Sequence, residues 1–403
     1  MLQIGLIREY KTPPDTRVAF SPDQCQSIQS KYSNIKFTVE PSSNRCFSDD
    51  AYKVAGIDMS EDLSHCDILI GIKEVPVDKL IEGKTYFFFS HTKKKQPYNQ
   101  KLMRAMIQKK ICMVDYECLT HADGQRILGF GFFAGVVGAH NGIMSFGKKH
   151  ELFNLKAAHQ CKDMHEMLEQ YHSISLPNFK IAVTGSGKVA SGIIDVMTRL
   201  DIDYIEPEDF RNNQFDYPVY THLKGTSLYT RKDNGTYSRE DFHKNPHEYR
   251  CLFNHYLSVT DILMNGIYWD INIARLFERE DIQQTNFKIS VIADITCDVN
   301  GSVPINIEAS KIAAPVYGID KKTFDKTIPF QNTYNVVDVM AVDNLPNELP
   351  RDASMHFGNH LEKYILPELI KIEKSDIIMR ATICKNGKLT PSYEYLGDYA
   401  YGE

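Results

Sequence analysis

Short apolar runs of strand length alternate along this chain with segments of helical spacing. The runs at 3–8, 36–40, 67–75, 85–90 and 111–116 predict strands. Between them, residues 22–32 predict a helix with Ser21 as N-cap and Pro22 in its first turn. A shorter helix follows Ser48 and stops at Gly56, and residues 100–110 form an amphipathic helix. Strands and helices taking turns in this way predict a parallel sheet.

A glycine-rich run at 129–138 then opens a long helix reaching about Phe146, read as the crossing into a second domain. Residues 161–171 read as helical and lead to NFKIAVTGSGKVASG at 178–192, an apolar strand, a glycine turn and a helix. Gly185, Gly187 and Ala190 stand in a G-x-G-x-x-A frame. The first glycine permits a tight turn, the second lets backbone approach a pyrophosphate, and the third small residue packs helix on strand. Helix N-terminal amides then face the phosphates. Glu206 follows the apolar Tyr204 and Ile205 at the distance expected for a ribose-binding acid. Further strands are predicted at 204–205, 262–264 and 290–294, with a polar surface excursion over 210–249. The pattern blurs after Lys311; residues 351–372 predict a helix and 376–383 a closing strand.

Composition narrows the class. The 403 residues allow two or three domains, and 42% apolar with 24% charged residues is an ordinary globular balance. No apolar run reaches the length of a membrane span, and the N-terminus reads as a strand, not a signal peptide. Nine scattered cysteines without a C-x-x-C pair read as reduced thiols, which points to a cytoplasmic protein. A net charge of −6 argues against a general nucleic-acid binder, and no Cys/His spacing suits a metal.

Candidate chemistry sits at strand ends, where ligands gather in parallel sheets. The run Leu69-Ile70-Gly71-Ile72 ends in Lys73 and Glu74, and Tyr86-Phe87-Phe88-Phe89-Ser90 ends in His91. A partly desolvated lysine and a histidine can exchange protons near neutral pH. A solvated Lys73–Glu74 pair and a hydrogen-bonded core histidine are the alternative. Arg8, Lys11, Arg17, Lys93, Lys94, Lys95 and Arg126 cluster near these ends and suit a substrate with several carboxylates, with Glu117 as a counter-charge; Lys93 and Lys95 read first as a solvated face, whereas Arg17 and Arg126 sit between apolar segments.

These residues lie in segments that resemble the lysine-ketoglutarate reductase and lysine-forming saccharopine dehydrogenase family, within the alanine dehydrogenase and transhydrogenase superfamily. The segments are REYKTPPDTR at 8–17, EPSSNRCFSDDAYKVAG at 40–56, LIGIKEVP at 69–76, KTYFFFSHTKKKQ at 84–96 and VDYECLTHADGQRILGFGFFAGVVG at 114–138. They continue with VTGSGKVASG at 183–192, YIEPEDF at 204–210, LMNGIYWD at 263–270, VIADITCDVNGS at 291–302 and VDNLPNELPRDAS at 342–354. Many segments in one order are more specific than any single motif.

The resemblance implies an α/β fold of two Rossmann-like domains with parallel sheets and a cleft between them. The substrate domain would be 1–131 plus about 335–403, and the dinucleotide domain 132–334. It implies interconversion of saccharopine with lysine plus 2-oxoglutarate, linked to NAD(H) or NADP(H). Lys73 and His91 match the family's acid–base pair, and Arg17, Gln96 and Phe130 match substrate-contacting positions. Glu117 and Arg126 match polar residues lining the same cleft. Gly187, Lys188, Val189, Glu206 and Asp294 match the dinucleotide side. Glu206 would favour NAD, while similar reductases with a YxEP segment use NADPH and Arg211 is near in sequence. No second catalytic half follows the reductase-like region in this sequence, so if the chain forms saccharopine another protein is expected to consume it; the lysine-forming direction is an equal alternative. The alternatives are an alanine dehydrogenase or related amino-acid dehydrogenase, against which FSHTKKKQ and ECLTHADGQRILGFG speak, and a non-catalytic NAD(P)-binding protein.

Overall fold

The computed structural model describes residues 1–371 and 375–402, which divide into two compact units, Met1–Phe130 with Pro350–Glu403, and Gly131–Leu349. In the first unit, Leu2–Leu6 lies between Ile35–Val39 and Ile68–Ile70, and Thr85–Phe88 and Cys112–Asp115 extend the sheet in parallel. Ile4, Phe37, Leu69, Phe88 and Val114 form its buried centre. The helix Pro22–Lys31 starts as expected: Ser21 Oγ accepts from Gln24 N, and the Gln24 side chain reaches back to Ser21 N. Thr382–Lys385 closes the outer edge by antiparallel pairing with Cys112–Asp115.

The closing strand predicted at 376–383 is mostly helix. Ser375 caps Asp376–Ala381 by accepting from Ile378 N, and the strand is confined to Thr382–Lys385. The adjacent apolar Ile377 and Ile378 fit either period over so short a stretch, and the cap decides. The preceding helix runs Pro350–His360, continues as a π turn over Leu361–Ile365 and ends as Leu366–Ile370. Its expected end at Ile372 lies outside the described residues.

The second unit has its own eight-stranded sheet. Asp203–Tyr204, Val219–Leu223, Lys180–Thr184, Ile262–Asn265, Val291–Asp294 and Val336–Met340 run in parallel, in that spatial order. Val316–Asp320 and Lys326–Thr327 complete it in antiparallel fashion. Because Val336–Met340 is a strand of this sheet, the unit runs to Leu349, past the boundary expected near 335. The helices Gly131–Lys149 and Lys188–Arg199 cross at backbone contact. A Cβ on Gly135 would collide with Val189 O, and one on Gly192 with Phe132 O.

The excursion expected over 210–249 is partly sheet. Val219–Leu223 sits between Lys180–Thr184 and Asp203–Tyr204, with Thr221 fully buried. Its polar Thr221 and His222 mask a strand that the parallel ladder holds on both sides. The remainder is ordered by a hairpin, Tyr229–Arg231 with Tyr249–Cys251, and by Arg231 Nη2 on Asp233 at 2.9 Å. All nine cysteines are free thiols. Among the described residues, no helix is long and apolar enough to cross a membrane.

Candidate functional site

In the first unit, the ends of Ile68–Ile70 and Thr85–Phe88 lie side by side, and Phe89 N donates to Ile72 O at 3.0 Å. This pairing brings together Lys73 and His91, which are one residue and two residues past that junction. Glu74 Oε1 lies 3.8 Å from His91 Nε2 and accepts from Asn99 Nδ2 at 3.0 Å. Asn99 Nδ2 also donates to Ser90 O at 2.9 Å, which fixes the turn. His91 takes a left-handed backbone conformation, φ 50°, and its ring stacks near Phe89.

The electrostatics suit proton exchange. Lys73 is half-buried; burial lowers its pKa from the ordinary 10.5, and Arg17 and Lys11 lower it further. Burial also lowers His91 below 6.5, opposed by Glu74. Sequence reasoning missed Glu9, whose carboxylate accepts from Ile72 N at 2.6 Å and Lys73 N at 2.8 Å. Burial, then the charge of Asp15, push its pKa up to about 8 against those two amides. The REYK segment held it in view, but only the fold brings it beneath Lys73.

The other expected residues of this unit are held in different ways. Arg17 is buried, holds Asp15 through Nε at 2.9 Å and Nη2 at 2.5 Å, and lies 4.1 Å over the Phe130 ring. Phe130 in turn stacks on Phe357 at 4.7 Å, a partner supplied from the C-terminal segment. Arg126 Nη2 donates to Glu117 Oε1 at 2.7 Å, and Glu117 N donates to Asp115 Oδ1 at 2.7 Å. The Glu117 charge is close enough to raise the His91 pKa. Gln96 is fixed by its backbone, its carbonyl accepting from Tyr399 Oη at 2.5 Å. Lys95 pairs with Asp398 at 2.6 Å, while Lys93 and Lys94 are exposed.

In the second unit, the glycine turn has the form the motif predicts. Gly185 has φ +104°, and a Cβ there would collide with the Gly266 carbonyl. Gly187 faces open space and caps the helix Lys188–Arg199 with no side-chain hydrogen bond. The first-turn amides are thus available to an anion, so the residues fit a dinucleotide pyrophosphate. His222, also missed, donates from Nε2 to Gly185 O at 2.6 Å and so steadies the turn. Lys188 is exposed, while Val189 packs beneath Gly266.

Two dinucleotide residues differ from expectation. Glu206 is exposed beyond the edge strand Asp203–Tyr204 and accepts from Tyr204 Oη at 3.1 Å. Val219–Leu223 intervenes, so that edge lies two strands, roughly 9–10 Å, from the strand bearing the turn. The expected ribose contact does not follow from this order. Asp294 is fully buried, Oδ1 accepting from Asn265 Nδ2 at 2.9 Å and Thr296 Oγ1 at 2.7 Å, and Oδ2 from Asn306 Nδ2 at 2.7 Å. Asn265 is tied onward to Thr184 and Ser302. Asp294 therefore organises the loops after three strands and does not present itself to a ligand. Among the described residues no cluster suits a metal ion.

Comparison with known proteins agrees with this architecture. Residues 5–137 match the family described as alanine dehydrogenase/PNT, N-terminal domain. The chain is 28% identical to mitochondrial alpha-aminoadipic semialdehyde synthase of Mus musculus over 98% of its own length and 47% of that protein. It thus spans about half the length of that relative. It is 25% identical to saccharopine dehydrogenase [NAD(+), L-lysine-forming] of Emericella nidulans, over 91% of each. An L-alanine dehydrogenase structure superposes with a TM-score of 0.66 at 14% identity, covering 99% of this chain and 100% of that one, which establishes the two-domain α/β fold. The chain therefore carries an alanine dehydrogenase/PNT N-terminal domain and is a homologue of the alpha-aminoadipic semialdehyde synthases and the lysine-forming saccharopine dehydrogenases.

Proposed function

We propose that this chain is an NAD-linked oxidoreductase that interconverts saccharopine with lysine plus 2-oxoglutarate. The observation that carries the reading is the pairing of Lys73 with His91 around Glu74, supported from below by Glu9. In the condensing direction His91, neutral at pH 7 because burial lowers its pKa, takes a proton from the lysine ε-ammonium. The freed amine adds to the ketone carbon. Lys73, acting as the general acid, gives a proton to the carbinolamine oxygen, which leaves as water and yields the imine. When bound, the dinucleotide supplies the hydride that reduces this imine. Phe130 and the Arg17–Asp15 pair form a fixed wall, and Arg126 offers a half-exposed guanidinium to a substrate carboxylate. Gln96 adds an amide side chain, and Gly185, Gly187, Lys188 and Val189 form the dinucleotide turn.

The test is a steady-state assay following nicotinamide absorbance, with lysine plus 2-oxoglutarate set against pyruvate plus ammonium. Turnover of the first pair is expected. Activity with pyruvate and ammonium alone would replace this reading by an alanine dehydrogenase, and dinucleotide binding without any turnover would make the chain a binding protein.

A further inference from the structure

The loop that follows His91 runs to Asn99 and carries Gln96. Its inner end is fixed by the sheet and by its own return: Ser90 N donates to Asp115 Oδ2 at 3.2 Å, and Asn99 Nδ2 donates to Ser90 O at 2.9 Å. Its outer stretch, Lys93 to Gln96, is held from the far end of the chain. Tyr395 Oη donates to Lys93 O at 2.9 Å, and Tyr399 Oη donates to Gln96 O at 2.5 Å. Between them, Lys95 Nζ meets Asp398 at 2.6 Å. These contacts each bridge 302 or 303 positions and follow one another in the same order on both segments. The holding segment is anchored in the core of the same unit. Leu396, Tyr399 and Ala400 are buried, and Tyr393 Oη donates to Arg380 O at 2.7 Å. The short helix Gly397–Tyr401 packs on Gln100–Gln108, the helix into which the loop leads.

Magnitudes separate these contacts. Lys95 and Asp398 are both exposed, and a pair of that kind contributes little. The two tyrosine hydroxyls fix backbone carbonyls, and Tyr399 is 5% exposed, so its bond is shielded from water. Lys95 takes the left-handed backbone region at φ 53°, which a lysine rarely enters, so local preference does not set the path of the loop. Among the described residues, the Gln96 side-chain amide has no hydrogen-bond partner and is left for a ligand. Resting on the saccharopine reading above, we propose that Tyr399, assisted by Tyr395, is a positioning residue that fixes the Gln96 backbone and so presents the Gln96 amide to the amino- and keto-acid substrates. His91 does not share this dependence, because Asp115 and Asn99 hold its side of the loop.

Kinetics and hydrogen exchange test the assignment together. Tyr399→Phe keeps the buried ring, and Gln96 O still accepts from Asn99 N at 3.0 Å, so no carbonyl is stranded. It should raise KM for lysine or 2-oxoglutarate about three- to tenfold. Turnover number, the acid-side pH dependence set by His91 and dinucleotide affinity should each stay within about twofold. Gln96→Ala should raise the same KM about tenfold, and adding Tyr399→Phe to it should change KM by less than about a further twofold, because the hydroxyl acts through that amide. In the substrate-free chain, Tyr395→Phe with Tyr399→Phe should speed amide exchange over residues 92–99 at least about tenfold. Unchanged exchange overturns the clamp. Faster exchange with KM unmoved, or KM effects of Gln96→Ala and Tyr399→Phe that simply multiply, overturns the positioning role. A parent chain that turns over only pyruvate and ammonium ends the saccharopine reading, and the KM of that pair then decides the role of Tyr399 by the same criteria. A parent chain that turns over neither pair overturns both.

Discussion

Lys73 shows how much a single side chain depends on its support. Lys73→Met should lower turnover about 10²–10⁴-fold while dinucleotide affinity stays within about twofold, measured by single-turnover kinetics and titration. Glu9→Gln keeps the shape but leaves one oxygen for two amides, and should lower turnover less, by about tenfold. Since the folded-state pKa of Glu9, about 8, lies above its ordinary 4.5, the group favours folding at acid pH and loses that preference as pH rises through 8. Denaturant midpoints of Glu9→Gln should therefore vary less across that window than those of the parent chain. In the condensing direction the rate should rise with pH through an acid limb below 6.5 from His91 and fall through an alkaline limb below 10.5 from Lys73. His91→Gln should erase the acid limb. Lys73 and His91 were legible because polar residues ending apolar strands stand out in a linear reading. Glu9 and His222 were not, because their roles are hydrogen bonds to backbone sixty-three, sixty-four and thirty-seven positions away.

At the level of elements, the glycine turn was legible because the motif is local and each glycine answers to a steric need. Strand order was not. The pairing of Val219–Leu223 with Lys180–Thr184 is a long-range choice, and its Thr221 and His222 hide it from hydropathy. This is also why Glu206 was expected to follow the strand next to the turn, as the ribose acid, and is found beyond the edge strand Asp203–Tyr204. The crossing of Gly131–Lys149 with Lys188–Arg199 gives a sharper test. Gly135→Ala drives a methyl into the Val189 carbonyl, and the backbones must part. It should destabilise the second unit by about 1–3 kcal/mol in urea melts and weaken dinucleotide binding, because the same helix carries the turn. Asp294→Ala should cost about 3 kcal/mol, since three donors lose their buried acceptor.

For the molecule as a whole, alternating strands and helices disclosed the parallel sheets, but the closing of the first sheet by a late segment rested on the family resemblance. Thr382–Lys385 covers the Cys112–Asp115 edge, and Phe357 completes the stack on Phe130. The second unit is a continuous stretch, and the first is interrupted by it. A fragment spanning 131–349 should accordingly give one cooperative urea transition, whereas 1–130 alone should not; a sharp transition from the latter would refute the dependence.

The same interruption bears on how the chain is made. On the ribosome, residues 131–349 emerge with all their strands in hand, while the six earlier strands of the first sheet wait with the Cys112–Asp115 edge bare. Until residues 382–385 arrive, that nascent edge can capture a strand from another chain. Slow translation, or a stall after Leu349, therefore exposes this protein to aggregation through its oldest part and not its newest.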